Sequence, residues 1–435
     1  MNYAADRIKA DLNARHGNLA QNQQEHGVDY HNVREYNRSL VLNLIRENGP
    51  APRVEIARRT DLSRTTVSAI IDALLHEEFV REGESLDAAP SGGRRAILVH
   101  FNENAGAILG VDIGRSHLTF LITNLYGAIQ AHYSGPFDVT LGPEQCIPIL
   151  IAELRQFIAA SGAPWEDIIS IGVGVPSPLD SSTHKLISPP YMPGWDGADI
   201  VAELSREFQI PVFLDNDANL GALGESKYGA GKNIHNFAYV KIGTGIGCGL
   251  IIDGNVYRGS SGSAGELGHV TIDPNGPKCG CGNFGCLESL ASARVIVAES
   301  RLSQWFSEAP ISGVAQKQLR RSEIHDITDA IAAALAGDET SRSAFVHAGE
   351  YIGIALGGLI NLFNPEVIIL DGGVARAGAL LIDAIARTAE ERSVKTAWRK
   401  TRIIPGDLDK NAIALGAVAM VIDRAFGTLR LSSQR

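Results

Sequence analysis

Three apolar segments, each running into a glycine-rich turn, constrain the fold of this chain more than any other feature. They read AILGVDIG at residues 107–114, YVKIGTGIG at 239–247 and VIILDGGV at 367–374. A short apolar run bounded by glycine is typical of a buried β-strand. From residue 106 such strands alternate with predicted helices. Because the three turns are similar in position and differ in detail, the sequence predicts two related α/β lobes that face each other across a cleft, where ligands usually bind.

The turns themselves are candidate phosphate-binding loops. Glycine turns after strands expose backbone N–H groups, which suit phosphate, although many α/β turns use glycine for backbone reasons alone. The candidate residues are Asp112 and Gly114 in the first loop, Gly243, Thr244 and Gly245 in the second, and Gly372 and Gly373 in the third.

The composition is that of an ordinary globular protein. Hydrophobic residues make up 45% of the 435 residues and charged residues 20%. No run approaches the roughly 18–20 apolar residues that cross a bilayer, and the polar N-terminus lacks the apolar core of a secretory signal. The five cysteines are too few and odd in number for a disulfide scaffold. We therefore expect a cytoplasmic protein that has no membrane partner.

Charge is distributed unevenly along the chain. The net charge is −10, yet residues 37–70 carry six arginines against three acidic residues. A local basic patch on an acidic protein suits a small nucleic-acid-binding module attached to a larger body.

Residues 37–100 have the pattern of a winged helix-turn-helix. The segment SLVLNLIRENGP predicts a first helix, and a second short helix ends at the polar turn 60–62. Ser63 is placed as the N-cap of a third helix, whose apolar residues recur at helical spacing. The short helix, the turn and this third helix make a helix-turn-helix. The last helix of such a motif, with a polar N-terminal face, typically recognises DNA in the major groove. The side chains expected to reach DNA are Ser63, Arg64, Thr65, Thr66 and Ser68.

A wing is predicted after this helix. FVREGESLDAAPSGGRRAILVHF indicates two short strands joined by a flexible loop, which carries Arg94 and Arg95. Two guanidinium groups on a pliable loop could enter a narrow minor groove or neutralise phosphates. The alternative is a helical cap with surface arginines, but the turn, the cap, the basic patch and the wing occur together.

From about residue 37 to its end the chain resembles the ROK family of repressors, open reading frames and kinases. The resemblance rests on DNDANLGALGE at 215–225, the glycine loop at 243–247, AGELGH at 264–269 and CGCGNFGCLE at 279–288. It implies an actin-like body of the sugar kinase/Hsp70-like ATPase fold behind the winged helix-turn-helix. The expected organisation is an N-terminal arm at 1–36, the DNA-binding domain at 37–100 and a body at 101–435. Lobe 1 would cover about 106–220 plus the C-terminal helix, and lobe 2 about 221–405.

The cysteine-rich segment is similar to the zinc signature of that family. His269, Cys279, Cys281 and Cys286 offer one imidazole and three thiolates, a closed tetrahedral set suited to structural Zn²⁺. The alternative is three free or buried cysteines. A closed set leaves no position for a catalytic water, so the metal would fix the loop in place.

The resemblance also implies a sugar pocket. Its expected sugar-binding residues are Asn216, Asp217, Glu266, His269 and Glu288. Carboxylates and amides suit ligands rich in hydroxyl groups, because each can take part in one or two hydrogen bonds with them. Zinc would then hold one wall of the pocket, with one ring nitrogen of His269 on the metal and the other towards the sugar.

Kinase activity is the main alternative to sensing. Asp217 matches the catalytic base of the family kinases, and the second phosphate loop is intact. The first loop departs from their DIGGTK-like turn, because Arg115 stands where a second glycine belongs and His117 replaces the lysine. The departure makes bound ATP and Mg²⁺ unexpected, although an arginine can itself bind phosphate.

The sequence therefore predicts a sugar-responsive transcriptional regulator, most simply a repressor of carbohydrate-utilisation genes, with a degenerate kinase body as its sensor. It would bind operator DNA as a homodimer or homotetramer. The alternatives are an ATP-dependent sugar kinase with an attached DNA-binding domain, and a regulator that reports on another protein with its pocket empty.

Overall fold

The structure is a computed structural model and describes residues 2–18, 30–85, 96–180, 183, 185–187, 192–302 and 324–427. Three structural units follow one another along the chain: an N-terminal helical module, a first α/β lobe and a second α/β lobe. The wing residues Arg94 and Arg95 lie outside the described residues.

The N-terminal module contains four helices and a small sheet. They are α1 (Tyr3–Asn18), α2 (Tyr30–Asn48), β1 (Ala51–Pro52), α3 (Arg53–Thr60), α4 (Arg64–His76), β2 (Val80–Ser85) and β3 (Ile97–Phe101). The strands pair antiparallel in the order β1-β3-β2. Helices α3 and α4 with the β2–β3 hairpin form the predicted winged helix-turn-helix.

The first lobe is built on a five-stranded sheet. Its elements are β4 (Ala107–Ile113), β5 (His117–Asn124), β6 (Ile129–Pro136), α5 (Pro143–Ser161), β7 (Ile168–Val175), α6 (Ile200–Phe208) and β8 (Val212–Asn216). The strand order is β6-β5-β4-β7-β8. Every residue of β4 and β7 is buried, because helices cover both faces of these central strands.

The second lobe repeats this sheet with the same plan. Its elements are α7 (Asp217–Tyr228), β9 (Phe237–Ile242), β10 (Ile246–Ile252), β11 (Asn255–Tyr257), α8 (Leu287–Ala291), α9 (Ala293–Leu302), α10 (Ile327–Leu335), α11 (Glu339–Phe363), β12 (Val367–Asp371), α12 (Ala379–Arg392), α13 (Lys395–Trp398) and β13 (Arg402–Pro405). The C-terminal helix α14 (Ala412–Phe426) follows them in the chain. The strand order is β11-β10-β9-β12-β13, and both five-stranded sheets combine antiparallel pairs with two parallel pairs. The prediction of two related α/β lobes is confirmed.

Helices α7 and α14 lie between the two sheets. Helix α14 returns to pack on strands β4 and β7 of the first lobe, whereas α7 packs on β9 and β10 of the second. The two helices approach each other closely because Gly416 has no side chain: a Cβ there would clash with the Leu220 carbonyl. Helix α7 spans the predicted lobe boundary at 221.

The N-terminal segment contains more structure than an arm. Ala4, Ala5, Ile8 and Leu12 of α1 are buried in the same hydrophobic cluster as the helix-turn-helix and α14. The Asn2 side-chain amide also donates to Asp167 of the first lobe at 2.9 Å. Helix α1 thus ties the DNA-binding module to the body.

Helix α11 is the one helix among the described residues that is long and apolar enough to cross a membrane by length and composition. From the sequence, no run long enough to cross a bilayer was expected. In the structure 56% of its most apolar window is buried, and it packs against α9 and α12. A core helix of a globular lobe has the same length and composition.

Candidate functional site

A cleft of about 380 Å³ lies between the two lobes. All five residues expected to bind a sugar line it: Asn216, Asp217, Glu266, His269 and Glu288. So do the loop residues Asp112, Gly243, Thr244, Gly245, Gly372 and Gly373, whereas Gly114 does not line the cleft. The volume falls within the usual range of small-molecule sites.

Asn216 and Asp217 reach the cleft from the N-terminus of α7. The Asn216 side-chain oxygen accepts hydrogen bonds from the backbone N–H groups of Ala218 and Asn219, at 2.9 and 3.2 Å, so it caps the helix. Its Nδ2 donates to the Ser177 carbonyl at 3.2 Å. One amide hydrogen is therefore left for a ligand, and the side chain is held rigidly.

Glu288 is the most deeply buried carboxylate of the five, with 3% of its surface exposed. Its Oε2 accepts a hydrogen bond from the Ile246 N–H at 2.9 Å. Its Oε1 is buried and has no hydrogen-bond partner among the described residues. A buried acceptor without a hydrogen bond costs about 1–3 kcal/mol of folding free energy. A ligand hydroxyl that donates to this oxygen would recover that energy.

Glu266 and His269 line the cleft from one short segment of the chain. The Glu266 Oε2 lies 3.8 Å from the His269 Nε2. Burial raises the pKa of Glu266, the charge of His269 opposes this, and the charges of Asp217 and Glu288 add to it. The cleft thus concentrates negative charge, which suits hydroxyl donors.

The other face of His269 belongs to a group of four potential metal ligands. The donor atoms of His269, Cys279, Cys281 and Cys286 all lie within 4.8 Å of one another. The His269 Nδ1 is 3.6 Å from the Cys279 Sγ, and the Sγ atoms of Cys281 and Cys286 are 3.7 Å apart. Ligand bonds of about 2.0 and 2.3 Å in a tetrahedron would give separations of about 3.5–3.8 Å. These residues could hold a metal ion.

The cysteine loop is folded so that this group controls the position of Glu288. An isolated β-bridge joins Thr271 to Cys286, and α8 begins at Leu287 immediately after that cysteine. Burial raises the pKa of the Cys286 thiol, so a thiolate there needs a neighbouring cation. A metal at Cys286 would therefore fix the first turn of α8, where Glu288 lies.

Arg115 connects the two lobes across the cleft. Its Nη1 donates to the carbonyl oxygen of Thr244 at 3.2 Å, and its Nη2 lies 3.4 Å from the Glu288 Oε2. A Cβ at Gly245 would displace the Arg115 guanidinium and the Glu288 carboxylate, which lie against this glycine. The arginine that departs from the kinase pattern thus fills the second glycine loop.

The N-terminus of α4 is exposed, as DNA recognition requires. The Ser63 Oγ accepts from the Thr66 N–H at 3.0 Å and lies 2.8 Å from the hydroxyls of Thr65 and Thr66. Ser63 is therefore the predicted N-cap, and the three hydroxyls form one cluster. Asp61 has a positive φ of 55°, which ends α3 and sets the turn.

The basic patch of this module is mostly paired internally. Five of its six arginines have carboxylate partners: Arg38, Arg46, Arg53, Arg58 and Arg59. Arg64 is exposed and has no ion-pair partner within the ranges that the structure describes. Its charge at the N-terminus of α4 is therefore available to a phosphate or a base.

Two charged pairs in and beside the cleft escaped the sequence analysis. Arg258 of the second lobe pairs with Asp215 at 2.5 Å, and the Lys241 Nζ lies 2.8 Å from the Asp217 Oδ2. A lysine inside the otherwise apolar strand FAYVKI was the one available signal. Its partner depends on tertiary structure.

These features define a two-lobed, sugar-kinase-like body joined to a winged helix-turn-helix. Residues 108–424 match the model of the ROK family, and residues 34–81 match a winged helix-turn-helix DNA-binding model. The chain belongs to the ROK family, and the expected fold is confirmed.

Two similar regulators match nearly the whole chain, whereas a similar kinase matches a smaller part of it. The chain is 33% identical over 402 residues to a xylose repressor of Bacillus spizizenii, covering 92% of this chain and 98% of the relative. A solved ROK family transcriptional regulator, a homologue of the E. coli MLC protein, superposes with a TM-score of 0.74 at 26% identity, over 91% of this chain and 97% of the other. A ROK family glucokinase from Streptomyces griseus, in complex with glucose and AMPPNP, gives 0.64 at 27% identity, over 72% and 99%.

Proposed function

We propose that this protein is a sugar-responsive transcriptional repressor whose kinase-like body senses the sugar without phosphorylating it. The observation that carries the proposal is the combination, in one chain, of an exposed recognition helix and a cleft with a buried, unpaired carboxylate oxygen on Glu288. The similar xylose repressor and the MLC homologue, each of which matches more than 90% of this chain, are regulators by name.

The DNA-binding surface would be the N-terminal part of α4. Arg64 supplies the free positive charge, and Ser63, Thr65, Thr66 and Ser68 supply hydroxyls for phosphates and base edges. Arg94 and Arg95, in the wing loop, would add contacts to the neighbouring groove. A homodimer or homotetramer would present two such helices to a two-fold operator.

The ligand would be a monosaccharide bound by five polar groups. Glu288 and Glu266 would accept hydroxyl hydrogen bonds, as would the remaining lone pairs of Asp217, whereas Asn216 would donate its second amide hydrogen. His269 would present Nε2 to the sugar. D-Xylose is the first candidate, because the full-length relative is a xylose repressor. Glucose is the second, because the similar glucokinase binds it.

The metal in the His-Cys₃ group would be structural Zn²⁺. One imidazole and three thiolates match zinc in donor type and number, and they leave no position open for catalysis. When bound, the ion would hold the first turn of α8 and one face of His269. It would thereby orient Glu288 and His269 towards the sugar.

The signal would pass along α14. Ile413, at its start, lines the cleft. At its end Phe426 packs edge-on against Phe101 of the wing at 5.8 Å, and its carbonyl accepts a hydrogen bond from Asn43 of α2. The guanidinium of Arg46 also lies over the Phe426 ring. A change in cleft closure would therefore move the recognition helix as part of one packed unit.

Active sugar phosphorylation is the second candidate, and Asp217 is the observation in its favour because it matches the kinase base. Both of its oxygens are engaged, however: Oδ2 with the Lys241 ammonium and Oδ1 with the Ala218 N–H, each at 2.8 Å. Transfer from ATP needs a base at the sugar hydroxyl and a metal-bound nucleotide. The engaged carboxylate and the contact of the Arg115 side chain with the second loop both favour sensing.

Thermal unfolding against a panel of sugars, with and without Mg-ATP, tests this proposal. A ligand at 100 times its dissociation constant should add about 2.7 kcal/mol to the free energy of unfolding. We expect one sugar to raise the midpoint and Mg-ATP to add nothing. A further shift with Mg-ATP, accompanied by sugar phosphate as product, would favour the kinase.

A further inference from the structure

Lys241 is a charged residue in the cleft that neither the sugar pocket nor the metal group explains. It lies near the end of β9, directly beside Asp371 of the parallel strand β12. Its side chain is 20% exposed, and its ammonium contacts Asp217 at 2.8 Å. Lys241, Asp112, Asp217 and Asp371 all line the cleft.

The three carboxylates that line the cleft together with this ammonium come from three different elements. Asp112 is the second-last residue of β4, Asp217 begins α7 and Asp371 ends β12. The Asp371 oxygens accept hydrogen bonds from the Tyr239 hydroxyl at 2.7 Å and the Gly372 N–H at 2.6 Å. The Oδ1 of Asp112, a residue 1% exposed, is buried without a hydrogen-bond partner among the described residues. His117 lies 3.2 Å from its other oxygen.

Three carboxylates in one cleft, of which Asp112 and Asp217 are buried and Asp371 is half-buried, need a counter-charge. Burial alone would lower the pKa of Lys241, but the charges of Asp217, Asp112 and Asp371 outweigh it and raise the pKa above its ordinary value. The ammonium is therefore charged at every physiological pH. In a phosphoryl-transfer site, carboxylates in a comparable arrangement serve a divalent cation and a general base.

We propose that Lys241 is a permanent internal cation, which takes the place of a divalent metal ion among Asp112, Asp217 and Asp371 and keeps Asp217 paired. The cleft can then bind a sugar without a nucleotide or its metal. The inference rests on the proposed function, since it explains how that same cleft works without catalysis.

Removing the charge should expose the carboxylates to a metal ion. Lys241→Met keeps the length of the side chain and removes the ammonium. Oxygen ligands from three carboxylates suit a hard divalent cation. We therefore expect the K241M variant to bind Mn²⁺ in the cleft, where the wild-type protein does not.

The experiment is a Mn²⁺ titration of the zinc-loaded full-length chain, with free Mn²⁺ followed by electron paramagnetic resonance. K241M should bind one additional Mn²⁺ per chain, at least about tenfold more tightly than the wild type. K241M/D217N should lose that ion again, because one of its carboxylates is gone. K241R, which keeps a positive charge, should behave as the wild type does.

Equal Mn²⁺ affinity of wild type and K241M would overturn the inference, as would a gained ion that D217N leaves in place. The wild-type chain is a second test that needs no variant to fold. One Mn²⁺ bound in its cleft with a dissociation constant below about 1 mM would equally contradict the proposal. Operator binding is measured separately. A chain that does not bind operator DNA would contradict the proposed function. The Mn²⁺ titration would still test the role of Lys241.

Discussion

The guanidinium of Arg115 lies 3.4 Å from the carboxylate of Glu288, and this ion pair joins the first lobe to the second across the cleft. Glu288 is thereby linked at once to the first glycine loop, the second glycine loop and the helix that follows the metal group. A ligand that competes for this carboxylate must change how the two lobes meet.

Arg115→Ala should reopen the second glycine loop to nucleotide. The Thr244 carbonyl and Glu288 lose their guanidinium partner, so the loop can approach phosphates. We expect Mg-AMPPNP to raise the unfolding midpoint of R115A and to leave that of the wild type unchanged. Arg155→Ala is the matched control, because Arg155 pairs with Glu207 on the outer surface. If Mg-AMPPNP does not change the unfolding midpoint of R115A, Arg115 is not what prevents nucleotide binding.

Glu288→Gln should weaken sugar binding. A hydrogen bond to a charged partner contributes about 1.5–3 kcal/mol, which corresponds to roughly 10- to 150-fold in affinity. Isothermal titration with the sugar that stabilises the wild type measures this loss. Glu299→Gln on α9, where Glu299 lies 3.8 Å from His347, provides the control. Full sugar affinity in E288Q would remove Glu288 from the binding site.

Cys281→Ser should reduce bound zinc to well below one ion per chain. A hydroxyl is a poor replacement for a thiolate ligand, and the loop before Glu288 would lose its anchor. Zinc content by elemental analysis and sugar affinity should therefore fall together. Cys146→Ser tests a buried cysteine of α5 outside the metal group and should keep the ion. Equal zinc in C281S and wild type is incompatible with the proposed ligand set.

Arg64→Ala should weaken operator binding without changing sugar affinity. If the guanidinium contacts a phosphate, the slope of log affinity against log salt should fall by about 1. Fluorescence anisotropy with labelled operator at several salt concentrations measures both quantities. Arg58→Ala is the comparison, since Arg58 is paired with Glu55 at 2.7 Å. Unchanged affinity and slope in R64A would argue against α4 as the recognition helix.

The ion pair of Lys241 gives a pH dependence of stability with a definite sign. The folded-state pKa is raised above its ordinary value of 10.5, so the stabilisation is complete below that value and is lost as pH rises through the folded pKa. Urea unfolding should give a constant difference between wild type and K241M from about pH 6 to 9, and a smaller difference near pH 11. A difference that already disappears between pH 7 and 9 would mean that the lysine is not held by the carboxylates.

Local signals explain why the DNA-binding module was readable from the sequence. Ser63 is recognisable as an N-cap because its own hydroxyl bonds the Thr66 N–H three residues later. The strand-and-glycine pattern likewise predicted two α/β lobes, since burial on both faces makes a strand apolar throughout. Such features depend on neighbours in sequence.

Long-range contacts explain what the sequence did not reveal. Helix α1 is weakly patterned, and it is held by contacts such as that of Asn2 with Asp167, 165 residues away. The sequence placed Arg115 in a phosphate loop, but its partner Glu288 lies 173 residues further on. The role of Lys241 depends on the register of β9 and β12, which places it beside Asp371. Pairings of this kind are decided by the folded arrangement of the lobes.

Operator affinity with and without the stabilising sugar tests the central claim most directly. The full-length chain is titrated against labelled operator DNA, selected by its own binding, at one fixed salt concentration. A coupling free energy of about 1–3 kcal/mol predicts that saturating sugar changes the operator dissociation constant by roughly 5- to 150-fold. An operator affinity that stays the same while sugar occupies the cleft would contradict the account.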